Sequence, residues 1–189
     1  MTTALITAPA SEPVSLADAK AHLRVDHDHE DQLIADTLRA ARQHTEFASN
    51  SRFLTQAWRQ YDNGLGSDRT IQLRVWPVQE IAAVTLFDRD GTPTVLGTDD
   101  YRLVRGHSPA ALVVTPHIGI EKAANGAEID IVAGFGDLGL DVPGTLRRAI
   151  LLLLAHWYEF RGAIPPSQQP VSLPPGFETL VRGYRRVNL

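Results

Sequence analysis

Cysteine is absent from all 189 residues, so the chain has neither a disulfide framework nor a thiol nucleophile. That absence fits a reducing compartment or a particle assembled inside a cell. Long apolar runs are missing as well. The unbroken run at 149–155 falls far short of the roughly 20 residues needed to cross a bilayer, which excludes a membrane span there. The start, MTTALITAPASEP, has neither the basic opening nor the long apolar core of a secretion signal, and a cytoplasmic origin is the expectation.

Positive charge is scarce where a nucleic-acid binder needs it. The net charge is −4, and its distribution is uneven: 5 basic against 8 acidic side chains in 1–52, 7 against 12 in 53–142, and 6 against 2 in 143–189. An acidic body is poorly suited to wrapping nucleic acid, because that affinity rests on clustered Lys and Arg neutralising phosphates. The basic C-terminal end suits an acidic protein partner instead. No serine stands in a nucleophile-elbow setting, so acyl-transfer chemistry has no candidate nucleophile.

Hydrophobic residues make up 43% of the chain, enough for a proper core in one domain or a domain carrying an insertion. The organising stretch is 142–163, VPGTLRRAILLLLAHWYEFRGA. Pro143 at the start and Gly162, Pro165 and Pro166 at the end predict a helix over about 143–160. Leu146, Ile150, Leu153, Leu154 and Trp157 recur at helical steps, and Leu151, Tyr158 and Phe160 widen the apolar stripe. Such a helix is expected to be buried on more than one side.

The first 14 residues read as an extended lead-in, because Pro9 and Pro13 oppose helix. Ser15 followed by Asp18 predicts a helix start, with Leu16, Ala19 and Leu23 on one side. The segment DHDHED, 26–31, breaks that helix, and Asp26 or Asp28 is expected to cap a second one running to about Asn50. Its predicted apolar face is Leu33, Ile34, Leu38, Ala41, Thr45 and Ala48, with Arg39, Arg42 and Glu46 turned away.

From Phe53 the period changes to alternation. Strands are predicted from Phe53 to about Gln60, around Ile71, Leu73 and Val75, over 84–87 and 94–96 as a hairpin across DRDG, and over 101–104, 111–114 and 128–132. Helices, then strands, then a helix argue for an α+β fold. The expected organisation is a small bundle of three main helices (15–50 and 143–161), with an antiparallel β insertion (53–133) between helices two and three. Together these make one domain over 15–163. The remainder, 164–189, opens with five prolines in thirteen residues, a semi-rigid linker, and ends in an amphipathic piece with little core left to join.

Candidates for chemistry are few. His27, Asp28, His29 and Glu30 are metal-ligating types, but adjacent side chains diverge, so a turn with capping carboxylates is the preferred reading. His22, His44 and His156 lie on predicted helices and read as structural. GFGDLG, 134–139, lacks the lysine and hydroxyl of a nucleotide loop and reads as a turn into the third helix. Asp88 with Asp90 and Asp99 with Asp100 read as solvated turn residues. No catalytic residue, metal site or cofactor is therefore expected.

Several stretches carry a resemblance. PVSLADAKAHLRVDHDHEDQLIADTLRAARQHTE followed by FLTQAW, Trp76-Pro77 after a strand, DRDGTPTVL, Tyr101, AGFG, VPGTLRRAILLLLAHWYEFRGA and LVRGYRRV together resemble the head-tail connector (adaptor) proteins of long-tailed phages and phage-derived gene transfer agents. The likeness runs from Pro13 to Val187. It implies a virion protein with no enzymatic activity: a twelve-fold ring between the capsid portal and a downstream neck or tail-completion protein. DNA would pass through its channel, and no membrane would be involved. It also implies that the C-terminal arm docks on the portal, through Phe177, Leu180, Arg182, Tyr184, Arg185 and Arg186. Against this stands a helix that folds back on the protein's own bundle. Competing functions are another neck component (stopper or tail-completion protein), a metal-dependent hydrolase using 26–31, and a sequence-specific DNA binder, which the charge disfavours.

Overall fold

Ser15 starts the first helix as its spacing predicts. Its Oγ accepts the Asp18 N–H at 3.0 Å and donates to Asp18 Oδ2 at 2.7 Å, so one residue pair satisfies an orphan donor and opens α1, Leu16–Leu23. In this computed structural model the described residues are 2–106, 109–160 and 173–185. They form an α+β structure in two compact units, one built from residues up to Pro9 and 55–135, the other from 10–54, 136–160 and 173–185.

The helical unit holds α1, α2 (Asp31–Ser49), α3 (Gly144–Glu159) and a short α4 (Phe177–Arg182). α2 ends at Asn50, whose left-handed backbone (φ 51°) is a conformation that Asn tolerates. Contacts join α2 to α3, α3 to α4, α1 to both α2 and α3, and α2 to α4. The prediction of three main helices is thus extended by a fourth, and the terminal piece does find a core. Phe177 and Val181 are fully buried. On α3, Leu146, Ile150, Leu153 and Leu154 are buried as the periodicity predicts, while Phe160 just beyond its end is exposed. Among the described residues no helix is long and apolar enough to cross a membrane.

The β unit is antiparallel, as expected, and its strands divide between two sheets. The larger has five strands in the order β1-β2-β8-β4-β5: β1 Thr2–Thr7, β2 Gln56–Asp62, β4 Val78–Phe87, β5 Pro93–Val95 and β8 Ala127–Ala133. The smaller has β3 Thr70–Gln72, β6 Tyr101–Val104 and β7 Ala111–Val114 in the order β3-β7-β6. The hairpin across DRDG forms in the expected place, with Thr85, Leu86 and Phe87 paired to Val95, Thr94 and Pro93. The lead-in is a true strand: Thr2 to Leu5 pair in register with Tyr61 to Trp58. Phe53 and Leu54, read as the start of β2, are instead buried residues of the helical unit.

The core between these strands gathers Ile71, Leu73, Val84, Leu86, Leu112, Ile129 and Ile131 with their neighbours. Buried polar groups inside the unit are matched. Gln60 donates to Gln72 O at 2.8 Å and accepts from the Arg74 N–H at 2.9 Å, so a polar residue in an apolar setting ties β2 to the chain after β3. Gly64 (φ +127°) is required where it stands, because a Cβ there would lie 2.2 Å from the Ala123 carbonyl oxygen.

Candidate interaction surfaces

Three sets of side chains in this fold invite a functional reading: the acidic turn 26–31, the C-terminal helix, and the open edges of the larger sheet. The turn is organised by Lys20. Its ammonium lies 2.5 Å from Asp28 and 2.7 Å from Asp31. The hydrogen bonds to Asp28 and then Asp31 raise the lysine pKa, and the same lysine holds Asp28 below the usual carboxylate value. Asp28 is therefore engaged by Lys20 and does not cap α2, whose N-cap is Glu30 with no side-chain hydrogen bond to the helix. Glu30 accepts from the Tyr158 hydroxyl, fastening the turn to α3. The His27 and His29 rings stack on one another with centroids 5.5 Å apart. Among the described residues no three His or carboxylate side chains converge on a point where a metal ion could sit.

The helix histidines are packing residues. The His44 ring lies 5.8 Å from Trp157 of α3 and 5.8 Å from Phe177 of α4, joining three helices through aromatic contacts. His156 packs edge-on against Phe160 at 4.9 Å. Burial first, and the positive charge of Arg148 second, lower the pKa of His22. The folded chain thus binds that proton less readily than the unfolded chain. Its contribution to stability is intact above the ordinary histidine value of about 6.5 and is lost as pH falls through it. Urea titrations at pH 7 and pH 5 are expected to show a smaller drop in unfolding midpoint for His22→Gln than for the wild type. Equal drops would refute this assignment.

α2 carries a buried ion network that the helical pattern placed on the wrong side. Arg42 and Glu46 are each only 5% exposed. Arg42 donates to Glu12 and to Glu46, both at 2.7 Å, and Glu46 accepts the Phe53 N–H at 2.7 Å. Every strong group in that set has a partner, so the network braces the helical unit.

Of the proposed C-terminal contact residues, Phe177 is buried within its own unit. Leu180 and Tyr184 are half-buried, Arg182 and Arg185 are exposed, and Arg186 lies outside the described residues. Arg185 faces Glu178 at 3.7 Å, an exposed pair worth little. Phe177 and Val181 are thus spent on intramolecular packing, while Leu180 and Tyr184 stay partly exposed and Arg182 and Arg185 face solvent.

In the β unit Arg59 makes a two-pronged bond to Asp130 (2.7 and 2.9 Å) across β2 and β8, which raises its pKa. His117 and Asp100 share a hydrogen bond of 2.7 Å; with the Gly97 N–H it lowers the Asp100 pKa. Asp88 Oδ1 accepts the N–H groups of Asp90 and Thr92, the turn role expected of it. A cleft of about 290 Å³ beside Asp62, Asp68 and Arg74 holds two carboxylates, but Asp62 accepts the Asn63 N–H and Asp68 the Thr70 N–H, which makes them loop fasteners. Large apolar side chains are exposed on the edge strands of the five-stranded sheet, Leu5 (46%), Ile6 (57%) and Val95 (71%), and also in the helical unit at Phe47, Leu138 and Leu140. These were not singled out from the sequence.

No curated protein matches the chain. Residues 13–75 match the model of the phage gp6-like head-tail connector proteins. The whole chain superposes on a protein in the neck of the empty gene transfer agent particle, reconstructed with C6 symmetry, at 24% identity and TM-score 0.79, covering 100% of this chain and 97% of the other. It superposes on a chain of the native gene transfer agent virion with the same values. A third match, in the native particle's neck with C12 symmetry, has 25% identity and TM-score 0.76 at the same coverage. Residues 13–75 are thus similar to phage gp6-like head-tail connector proteins, and the full length is similar in fold to a gene transfer agent neck protein.

Proposed function

We propose that this protein is a head-tail connector of a phage or phage-like particle: a structural component of the neck that forms a ring under the capsid portal, joins it to the tail and leaves a passage for DNA. One observation carries the reading. A connector-family match over 13–75 coincides with end-to-end likeness to neck chains from symmetric particles. The chemistry of the chain is consistent with it. The buried Arg42, Glu46 and Gln60 side chains are tied into packing, and the net charge of −4 suits a conduit that a polyanion must traverse without being retained.

The portal-facing surface in this reading is the solvent side of α4. Arg182 and Arg185 supply charge, Leu180 and Tyr184 supply partly exposed apolar surface, and Phe177 holds the helix in place without touching the partner. The ring would hold twelve copies, with the portal on one side and a tail-completion protein on the other.

The deciding experiment is native mass spectrometry of the protein mixed with its portal. A ring of connector copies on each portal assembly is expected, against monomer or weak self-association alone. No complex at micromolar concentration would overturn the function. A full complex with Arg182→Ala/Arg185→Ala would leave the function standing and remove α4 as the docking face.

A further inference from the structure

A ring whose copies are related by rotation needs two different, complementary surfaces on each copy, because a contact between identical patches closes at a dimer. The five-stranded sheet has two such surfaces, its edges β1 and β5. β1 is six residues long, TTALIT, without charge or proline, and it exposes Leu5 and Ile6. Edge strands are ordinarily blunted by charge, proline or brevity, since their free N–H and C=O groups invite another strand. Here the bulge at Ile6 ends regular pairing but leaves Thr2 to Leu5 as an open edge among the described residues. β5 is the opposite kind of edge: three residues, begun by Pro93, with Val95 exposed. In the smaller sheet neither edge strand, β3 nor β6, exposes a large apolar side chain among the described residues.

We propose that the open edge of β1 receives the β5 edge of a second copy of this chain, so that the sheet continues from copy to copy around the ring. This rests on the connector reading above and specifies its subunit interface. Strand direction supports it. Every pairing in the five-stranded sheet is antiparallel, so β1 and β5, the first and last of five, run the same way. Head-to-tail addition about an axis along the strands therefore makes a parallel junction. Parallel pairing is the weaker kind, and β5 offers only three residues. Such a joint holds poorly alone and well when a multivalent template gathers the copies. Leu5 and Ile6 on one side and Val95 on the other then cover each other's exposed apolar surface.

The absence of cysteine makes the test clean. Leu5→Cys combined with Val95→Cys places reactive thiols only at two exposed positions. Rings of this variant on the portal, treated with a short bis-maleimide, are expected to give a ladder of covalent multimers up to the full ring, whereas each single variant stays at monomer. Rings of normal mass without a ladder would overturn the interface. Independently, Ile6→Lys is expected to raise the concentration needed for ring assembly at least tenfold without moving the unfolding midpoint of the free chain; wild-type assembly by this variant would also overturn it. If the wild-type chain forms no ring on the portal, the connector reading itself fails, and the interface with it.

Discussion

Replacing Glu46 with alanine is expected to cost about 3–5 kcal/mol of unfolding free energy, because it removes one partner from a buried charge network and strands the others. Glu46 satisfies two groups at once, the Arg42 guanidinium and the Phe53 N–H, each at 2.7 Å. Without it, half of the Arg42 fork and one backbone donor remain buried without partners, and Glu12 alone faces the arginine. At a denaturant slope of about 2 kcal/mol per molar urea, the midpoint falls by roughly 2 M. Glu46→Gln keeps an acceptor for the Phe53 N–H and should lose less. Arg39, more than half exposed beside Glu12 and Asp36, is the control, and Arg39→Ala should change stability by no more than about 0.5 kcal/mol. If Glu46→Ala and Arg39→Ala unfold at the same urea concentration, the network contributes nothing and this account of α2 is wrong.

The second large effect is expected at Phe177. The ring is fully buried and lies against His44, and α4 packs on both α2 and α3. Truncation to alanine removes the principal anchor of a six-residue helix, and Phe→Ala in a core typically costs about 3–5 kcal/mol. A helix that short has no independent stability, so loss of the anchor releases the whole element. Limited proteolysis should then cut within 173–185 faster than in the wild type, and portal binding should weaken together with stability. Arg182→Ala/Arg185→Ala is expected to separate the two, with stability unchanged and portal binding weakened. Equal protease resistance of Phe177→Ala and wild type would show that α4 is held by something other than this ring.

The contrast between Phe177 and the arginines shows where reading the sequence stopped short. The alternation of aromatic and basic residues in 177–185 marks an amphipathic helix and a basic face. It says nothing about whether the apolar side is met by a neighbouring protein or by the chain's own α2 and α3. The same limit applies to α2. Leu33 was assigned to the buried face and is exposed, while Arg42 and Glu46 were turned outward and are buried. A helical period locates a stripe, but a charged pair is admitted to the interior only when distant partners satisfy it. Here those are Glu12, thirty residues before Arg42, and the Phe53 N–H, seven residues beyond Glu46. The sequence does not mark β1 as a strand, because its apolar residues do not alternate and its strand partner, β2, begins more than forty residues later.

By itself the sequence determined the local elements: the Ser15 cap, the end of α2 at Asn50, the core residues of α3, the DRDG hairpin, the lack of any thiol chemistry and the resemblance to head-tail connectors. These depend on steric preferences, hydrogen bonds and periodicities that act within a few residues. Only the tertiary structure decided that the strands form two sheets, that Arg42 and Glu46 belong inside, that Phe177 is an internal anchor, and that β1 and β5 are the outer strands of the larger sheet. Each of those outcomes depends on a partner supplied from elsewhere in the chain, as when Asp130 meets Arg59 across 71 residues, and no local pattern encodes which distant segment will supply it.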